Sequence, residues 1–346
     1  MSHRPIGGRL AKSALSAASL AALISTAANA HHSPASFDMT ARISVSGIVT
    51  RYEWANPHVY IYLEASAPDA PGQVWEIEGA APSMMRRRGW AADTLSAGDR
   101  ITAEGNPGRS GRHIVRLTAL TRADGTELSN RANEFDPPAD DIAPADDLDG
   151  VWVAEGSGPA WQLFTNPRLL PLTQSGRESA LDYDPLQDNN HLDCIPFTIP
   201  MMMLLADIKS IEIEPEVVRI RGEFDGAVRT IYMDVATHAG AAPSYLGHST
   251  GRWDDGTLVI DTAAYLPHPQ GLATGLPSSS LKHTIERLSP NPDGLSFVYS
   301  VVVEDPQQLE EPASGTMTYH YRPDLDYQQI DCTIDNARRF LGSSAQ

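Results

Sequence analysis

Long apolar runs, cysteine and basic residues are what this chain has least of. Beyond residue 30 no stretch approaches the roughly 18 to 20 apolar residues that a membrane-spanning helix needs. Cysteine occurs twice, at Cys194 and Cys332, with no CxxC pair and no Cys-His cluster beside either. In an oxidising compartment such a pair most simply forms one disulfide, with a two-Cys metal site as the alternative. The 26 Lys and Arg are outnumbered by 44 Asp and Glu, for a net charge of −18 at pH 7. A surface of that sign repels nucleic acid and anionic lipid, so neither is an expected partner. Phosphate-cradling loops are also missing. Gly105-Asn106-Pro107-Gly108 and Gly251-Arg252-Trp253-Asp254-Asp255-Gly256 lack the strand-loop-helix setting of a nucleotide site. No internal repeat is present.

The first thirty residues combine Arg4, Arg9 and Lys12, a small-apolar run over 14–28, and Ala28-Asn29-Ala30. These are the three parts of a Sec signal peptide, with cleavage expected after Ala30. No Arg-Arg pair precedes the run and no Cys follows the cut, so neither a twin-arginine signal nor a lipoprotein anchor is expected, and no membrane anchor is expected to remain after cleavage. The mature protein is expected to be periplasmic or secreted. Three cations leave with the leader, which makes the remainder still more acidic.

The chain is long enough for two domains, and the composition changes abruptly to Asp and Pro over 134–149. Repelling charges and fixed φ angles keep such a stretch extended, as a linker between domains at 31–133 and 150–346. In the first domain, alternating segments at 43–53, 58–65 and 74–78 predict three strands, with Gly47 at a bulge or close approach. A short helix N-capped by Ser83 and strands at 100–104 and 113–121 follow. Three strands, a helix and two strands is the order of an OB barrel. In the second domain, short alternating runs at 210–213, 217–223, 228–234, 250–253, 257–262, 282–288, 295–303 and 315–321 predict an antiparallel β-barrel or sandwich. Only 201–206 is expected to be helical for more than a turn. Gly150-Val151-Trp152 has the Gly-x-Trp form that opens lipocalin-like barrels, where the indole closes the floor and an apolar ligand sits inside. The fold class expected is all-β.

Two blocks carry a resemblance. His31-His32-Ser33, Phe37-Asp38, Gly47-Ile48-Val49-Thr50, Glu53-Trp54-Ala55-Asn56-Pro57-His58 and Thr94-Leu95-Ser96-Ala97-Gly98-Asp99 resemble the DUF6152 family of exported bacterial proteins, whose function is unknown. The likeness covers about 31–125. The second block runs through Ile231-Tyr232-Met233-Asp234, His238, Pro243-Ser244-Tyr245-Leu246-Gly247-His248-Ser249, Thr257-Leu258-Val259-Ile260-Asp261-Thr262 and His283-Thr284-Ile285-Glu286-Arg287. It looks like the uncharacterised C-terminal half that often accompanies the first. This chain departs from that pattern at Val235-Ala236, Ala239 and Ser278, where relatives tend to carry Gly-Arg, Pro and His. The resemblance implies architecture and export, and little chemistry.

Cleavage after Ala30 makes His31 the first residue, with an α-amine and an imidazole that can chelate one metal ion. A second imidazole completes a T-shaped set suited to copper, an arrangement that resembles the histidine brace of copper proteins. His58, fixed by Pro57, is the expected second ligand. His32 faces away from His31 in extended chain, His113 is a weaker candidate, and Tyr60 shares the strand face of His58. The alternative is a solvated N-terminus and a His58 that only bonds a turn carbonyl.

In the second domain Tyr232, Asp234, His238, His248, Asp261, His283 and Glu286 fall close in sequence. His248, His283, Glu286, Asp261 and Tyr232 are the candidates for acid-base chemistry on a small substrate, with Tyr232 as an oxyanion donor. Strand alternation sets His283 and Glu286 on opposite faces. The structural alternative makes these residues turn and strand-end polar groups. Ser249 and Ser279 lack a nucleophile elbow. Met201-Met202-Met203 reads as core filling before a Cu(I) site, and Arg86-Arg87-Arg88 as a solvated helix face before an anion site.

Three functions follow as expectations. The first is an exported small-ligand-binding protein with a copper site at the mature N-terminus. The second is an acid-base enzyme (hydrolase, isomerase or lyase) in the second domain. The third is an interaction module gripping a protein partner.

Overall fold

The computed structural model describes residues 37–66, 72–130, 141–185 and 187–339. The expected mature N-terminus, with His31 and His32, lies outside them. The described residues form two closed β-barrels.

The first barrel is built from β1 (Ile43–Glu53), β2 (Tyr60–Ala65), β3 (Val74–Glu78), β4 (Arg100–Pro107) and β5 (Ile114–Arg122), with a short β6 (Glu127–Ser129) on β5. β1 pairs with β2 and β4, β2 with β3, β4 with β5, and the parallel pair β3–β5 closes the ring. With a helix α1 (Pro82–Arg86) between β3 and β4, this is the OB arrangement. Gly47 marks a close approach, since a Cβ there would lie 2.2 Å from the Glu64 carbonyl oxygen. The helix is shorter than its sequence suggests. Ser83 is buried inside the first turn and caps nothing, and the chain turns away at Gly89, whose φ is +79°.

The second barrel has nine strands: β7 (Gly150–Ala154), β8 (Ile208–Ile213), β9 (Val217–Gly222), β10 (Val228–Met233), β11 (His248–Asp254), β12 (Thr257–Ala263), β15 (His283–Pro290), β16 (Ser296–Glu304) and β17 (Ala313–Tyr321). A hairpin of β13 (His268–Ala273) and β14 (Leu276–Ser278) stands outside the ring. An odd number of strands cannot alternate up and down all the way around a closed ring, so one pair must be parallel. Here it is β10–β11, where an antiparallel ring was expected. The chain therefore crosses from one end of the barrel to the other over 234–247. The β11–β12 turn is a two-residue hairpin loop with Asp255 and Gly256 both at positive φ, +49° and +78°.

Side chains fill the barrel. Along β16, Phe297, Tyr299, Val301 and Val303 point inward and Val302 and Glu304 outward. Trp152 lies at the floor end, its Nε1 donating to Leu148 O at 2.9 Å and its ring 4.9 Å edge-on to Phe297. The 155–207 excursion is more helical than its sequence suggests, with α2 (Pro159–Thr165) and α3 (Gln174–Asp182) besides α4 (Met201–Leu204). The three methionines at 201–203 are buried in the core.

Of the expected linker, 131–140 lies outside the described residues, and its far end belongs to the second barrel. Leu148 is buried and the Asp149 carboxylate accepts from Ile213 N at 2.9 Å. After β17 the chain returns to the first barrel, where Asn336 Nδ2 donates to the carbonyls of Asn56 (2.8 Å) and His58 (3.2 Å). Asn56 Nδ2 donates in turn to Ile330 O and Glu223 O. This segment is α5 (Ile334–Ala337) with its flanks, and the Cys194–Cys332 disulfide ties it to the second barrel.

Candidate functional site

β11, β12 and β15 are neighbours, and His248, Asp261 and His283 lie on their outer face near the end opposite the Trp152 floor. Their sequence neighbours Ser249, Thr262 and Thr284 are buried inside. Alternation thus delivers three polar side chains to one patch from three strands. The crossover loop supplies the fourth. It leaves β10 through Asp234 at φ +58° and enters β11 through Gly247 at φ +71°, where a Cβ would meet Ala263 O at 2.8 Å. Between them the loop sets His238 on the patch.

His238 Nε2 and His283 Nε2 each lie 2.9 Å from Asp261 Oδ1, and His238 Nδ1 lies 2.9 Å from His248 Nδ1. Glu304 on β16 approaches His283 Nδ1 at 3.7 Å. Tyr232 stacks on His248 with ring centroids 5.2 Å apart and planes 19° from parallel, and is 42% exposed. Partial burial acts to raise the Asp261 carboxyl, but hydrogen bonds from His283 and His238 hold it below its ordinary value. Burial, and then the neighbouring His238, lower the His248 imidazole.

The bonds fix a proton pattern. An ionised Asp261 only accepts, so both Nε2 atoms facing it carry hydrogen. A neutral His238 then has a bare Nδ1, which accepts from His248 Nδ1–H. That leaves His248 Nε2 as a lone pair at the end of the chain Asp261–His238–His248. A carboxylate orienting one imidazole, which orients a second, is suited to proton abstraction.

Four of the five acid-base candidates, Tyr232, His248, Asp261 and His283, are thus together. Glu286 does not join them. It points into the barrel, where Arg229 Nη1 donates to its Oε1 at 3.0 Å and Nη2 to its Oε2, while the Tyr299 hydroxyl donates to Oε1 at 3.0 Å. Ser249 and Thr262 accept from the same guanidinium. Inward position and a saturated carboxylate make Glu286 a core residue. His238, left unassigned among the sequence candidates, is the hub. A loop residue has no strand period to place it, and only the parallel β10–β11 pairing brings it here.

Of the metal candidates, His31 and His32 lie outside the described residues. His58 Nδ1 faces Gly79 O at 3.0 Å, and its ring stands 6.5 Å edge-on to Tyr60. His113 packs edge-on against Trp75. Among the described residues no group of three or more His, Cys, Asp or Glu is arranged to hold a metal ion. Cys194 and Cys332 form the expected disulfide. Ser279 is buried and donates to Asp305 at 2.8 Å. The solvated reading of the arginine triplet is overturned: Arg87 is buried, and Arg86, its side chain only 9% exposed, pairs with Glu223 and Asp326 across the two barrels. Burial pushes the Glu223 carboxyl up to about 7. A half-open cavity of about 540 Å³ lies at the floor, bordered by Asp146, Asp147, Trp152, Trp253 and Asp255.

These features define a protein of two closed β-barrels, an OB barrel followed by a nine-stranded one with a histidine-carboxylate cluster on its wall. Residues 19–116 match the model of DUF6152, a family of unknown function. No curated protein matches the chain.

Proposed function

We propose that this is an exported acid-base catalyst acting on a small substrate at the His238–His248–Asp261–His283 cluster, with His248 as general base. The observation that carries the reading is the unbroken run of 2.9 Å contacts from Asp261 through His238 to His248. His248 Nε2 takes a proton from water or from an acidic C–H of the substrate. The charge then arising on His248 is shared through Nδ1 with His238 and stabilised by Asp261. Hydrolysis, isomerisation and elimination all fit this chemistry. The exposed Tyr232 ring offers an apolar wall, and its hydroxyl a donor to a developing oxyanion. Export is supported by the disulfide.

The test is turnover of a panel of p-nitrophenyl esters, lactones and enolisable ketones by the chain beginning at His31, with His248→Ala and Asp261→Asn alongside. Activity lost by roughly 10²-fold or more in both folded variants supports the reading. No turnover by the wild type, or equal turnover by the variants, removes it.

A copper site at the mature N-terminus is the second reading. Its support is the contact of His58 Nδ1 with Gly79 O, which places the ring hydrogen on Nδ1 and leaves Nε2 free to ligate, as backbone carbonyls do for metal-bound histidines. Cu(II) titration followed by EPR, comparing the chain starting at His31 with one carrying an extra Ala in front, tests it. Tight binding lost on extension supports the site, and equal weak binding rejects it. For a small-molecule ligand of the second barrel the floor cavity beside Trp152 offers the space, since side chains fill the interior.

A further inference from the structure

The floor end of the second barrel, away from the histidine cluster, holds the cavity of about 540 Å³ beside Trp152. Three stretches of chain enclose it: 145–148 leading into β7, the β11–β12 turn at Asp255 and Gly256, and the β15–β16 turn at 291–294. These walls are tied together. Ala145 N donates to Gly294 O at 2.9 Å, and Gly294, at φ +65°, comes so close that a Cβ there would lie 2.7 Å from Ala145 O. Asn291 closes the β15–β16 turn by donating from its backbone N–H to Ser296 O at 2.9 Å and from Nδ2 to Ser296 Oγ at 2.8 Å. The space is therefore preformed, and its volume is within the ~300–1,000 Å³ of small-molecule sites.

Two features of the lining select a ligand class. The first is charge. Asp146, Asp147 and Asp255 border the cavity, and no Lys, Arg or His does. Asp147 accepts from Asp149 N at 2.7 Å, whereas the Asp146 and Asp255 carboxylates have no hydrogen-bond or ion-pair partner among the described residues. The second is an aromatic ring. Trp253 borders the same space with 45% of its surface exposed, although its strand neighbour Leu258 is fully buried. An indole and unneutralised carboxylates around one space both attract a cation, and the indole adds most for a cation that carries apolar surface. A bare metal ion fits less well, since among the described residues no group is arranged to hold one.

We propose that the floor cavity binds a small organic cation of the alkylated ammonium class, with Trp253 as the aromatic wall and Asp146 and Asp255 as counter-charges. This ligand class rests on the reading of the cavity as a small-molecule site, and is independent of proton transfer at His248.

The test follows the indole N–H signals of Trp152 and Trp253 by NMR in the chain beginning at His31. It is titrated with choline and, separately, with the uncharged isostere 3,3-dimethylbutan-1-ol. Choline is expected to give saturable shifts, with an affinity at least about fivefold tighter than that of the alcohol. Trp253→Leu, which keeps an apolar side chain at an exposed position, should weaken choline roughly fivefold, read at Trp152, and leave the alcohol nearly unchanged. Asp255 sits at φ +49°, a conformation that Asn also adopts, so Asp255→Asn removes the charge and keeps the turn. Combined with Asp146→Asn, it should weaken choline several-fold and flatten the fall in affinity with added salt. Binding of the alcohol as tight as that of choline would keep the cavity as a ligand site and overturn the cationic class. So would choline binding that neither the Trp253 variant nor the double Asp variant changes. Absence of saturable shifts with both probes would overturn the class and the ligand site together.

Discussion

Asp261 on β12 accepts from His283 on the adjacent β15 through Oδ1, at 2.9 Å, and the same oxygen accepts at the same distance from His238 on the crossover loop. One carboxylate oxygen thus holds two imidazoles in place. Asp261→Asn turns an acceptor-only group into one that can also donate, so the tautomers of His238 and His283 are no longer imposed. Nitrogen-15 ring spectra are expected to show His248 with hydrogen on Nδ1 in the wild type and a tautomer mixture in the variant. On any substrate the protein turns over, kcat/KM should fall by about 10²–10⁴.

Because burial and His238 lower His248, the rising limb of a pH–activity profile should sit below the ordinary imidazole value of about 6.5. The base works once deprotonated, so activity increases with pH through that limb and then levels. A limb centred above the ordinary value would disqualify His248 as the base.

Glu286 should matter for stability and leave the chemistry alone. Its carboxylate and Arg229 are both buried inside the barrel. Glu286→Ala leaves an uncompensated guanidinium there and is expected to cost about 3–5 kcal/mol in urea unfolding. Activity per folded molecule should be unchanged, which distinguishes a core residue from a catalytic one.

His268 gives the second barrel an acid sensitivity. It is buried, its Nε2–H donates to Pro196 O and its Nδ1 accepts from Gln270 N, so the neutral ring is fully satisfied. Burial lowers its pKa from 6.5 to about 4. The unfolded state therefore binds the proton first, and stability falls as pH drops from about 6.5 to 4, by up to ~3 kcal/mol from this group. Denaturation midpoints across that window should show the loss, and His268→Gln should flatten it.

The disulfide closes a sequence separation of 138 residues between Cys194 and Cys332. On the chain-entropy account, reduction should cost about 5 kcal/mol. Urea unfolding with and without reductant measures this, and Cys332→Ser should match the reduced protein.

Much of the architecture was legible in the chain itself. The strands 43–53 and 74–78 fall where alternation puts them, and the three-strand, helix, two-strand order is realised as an OB barrel. Alternation alone also separates His283 from Glu286, because a period of two residues is a local property. Helix length was less legible: Ser83 has the chemistry of a cap, yet it was drawn into the core after Pro82. The short helices α2 and α3 lack a period strong enough to announce them.

The sequence by itself determined strand identity, the in-out order of side chains, the cysteine pair and the acidic, cation-poor surface. Tertiary structure alone decided strand neighbours and hence the site. Ring closure with nine strands forces a parallel pair, that pair forces a crossover, and the crossover sets His238 between Asp261 and His248. It likewise decided that Arg339 reaches Glu53 across 286 residues. Such meetings depend on closure and long-range pairing, which no local pattern of residues encodes.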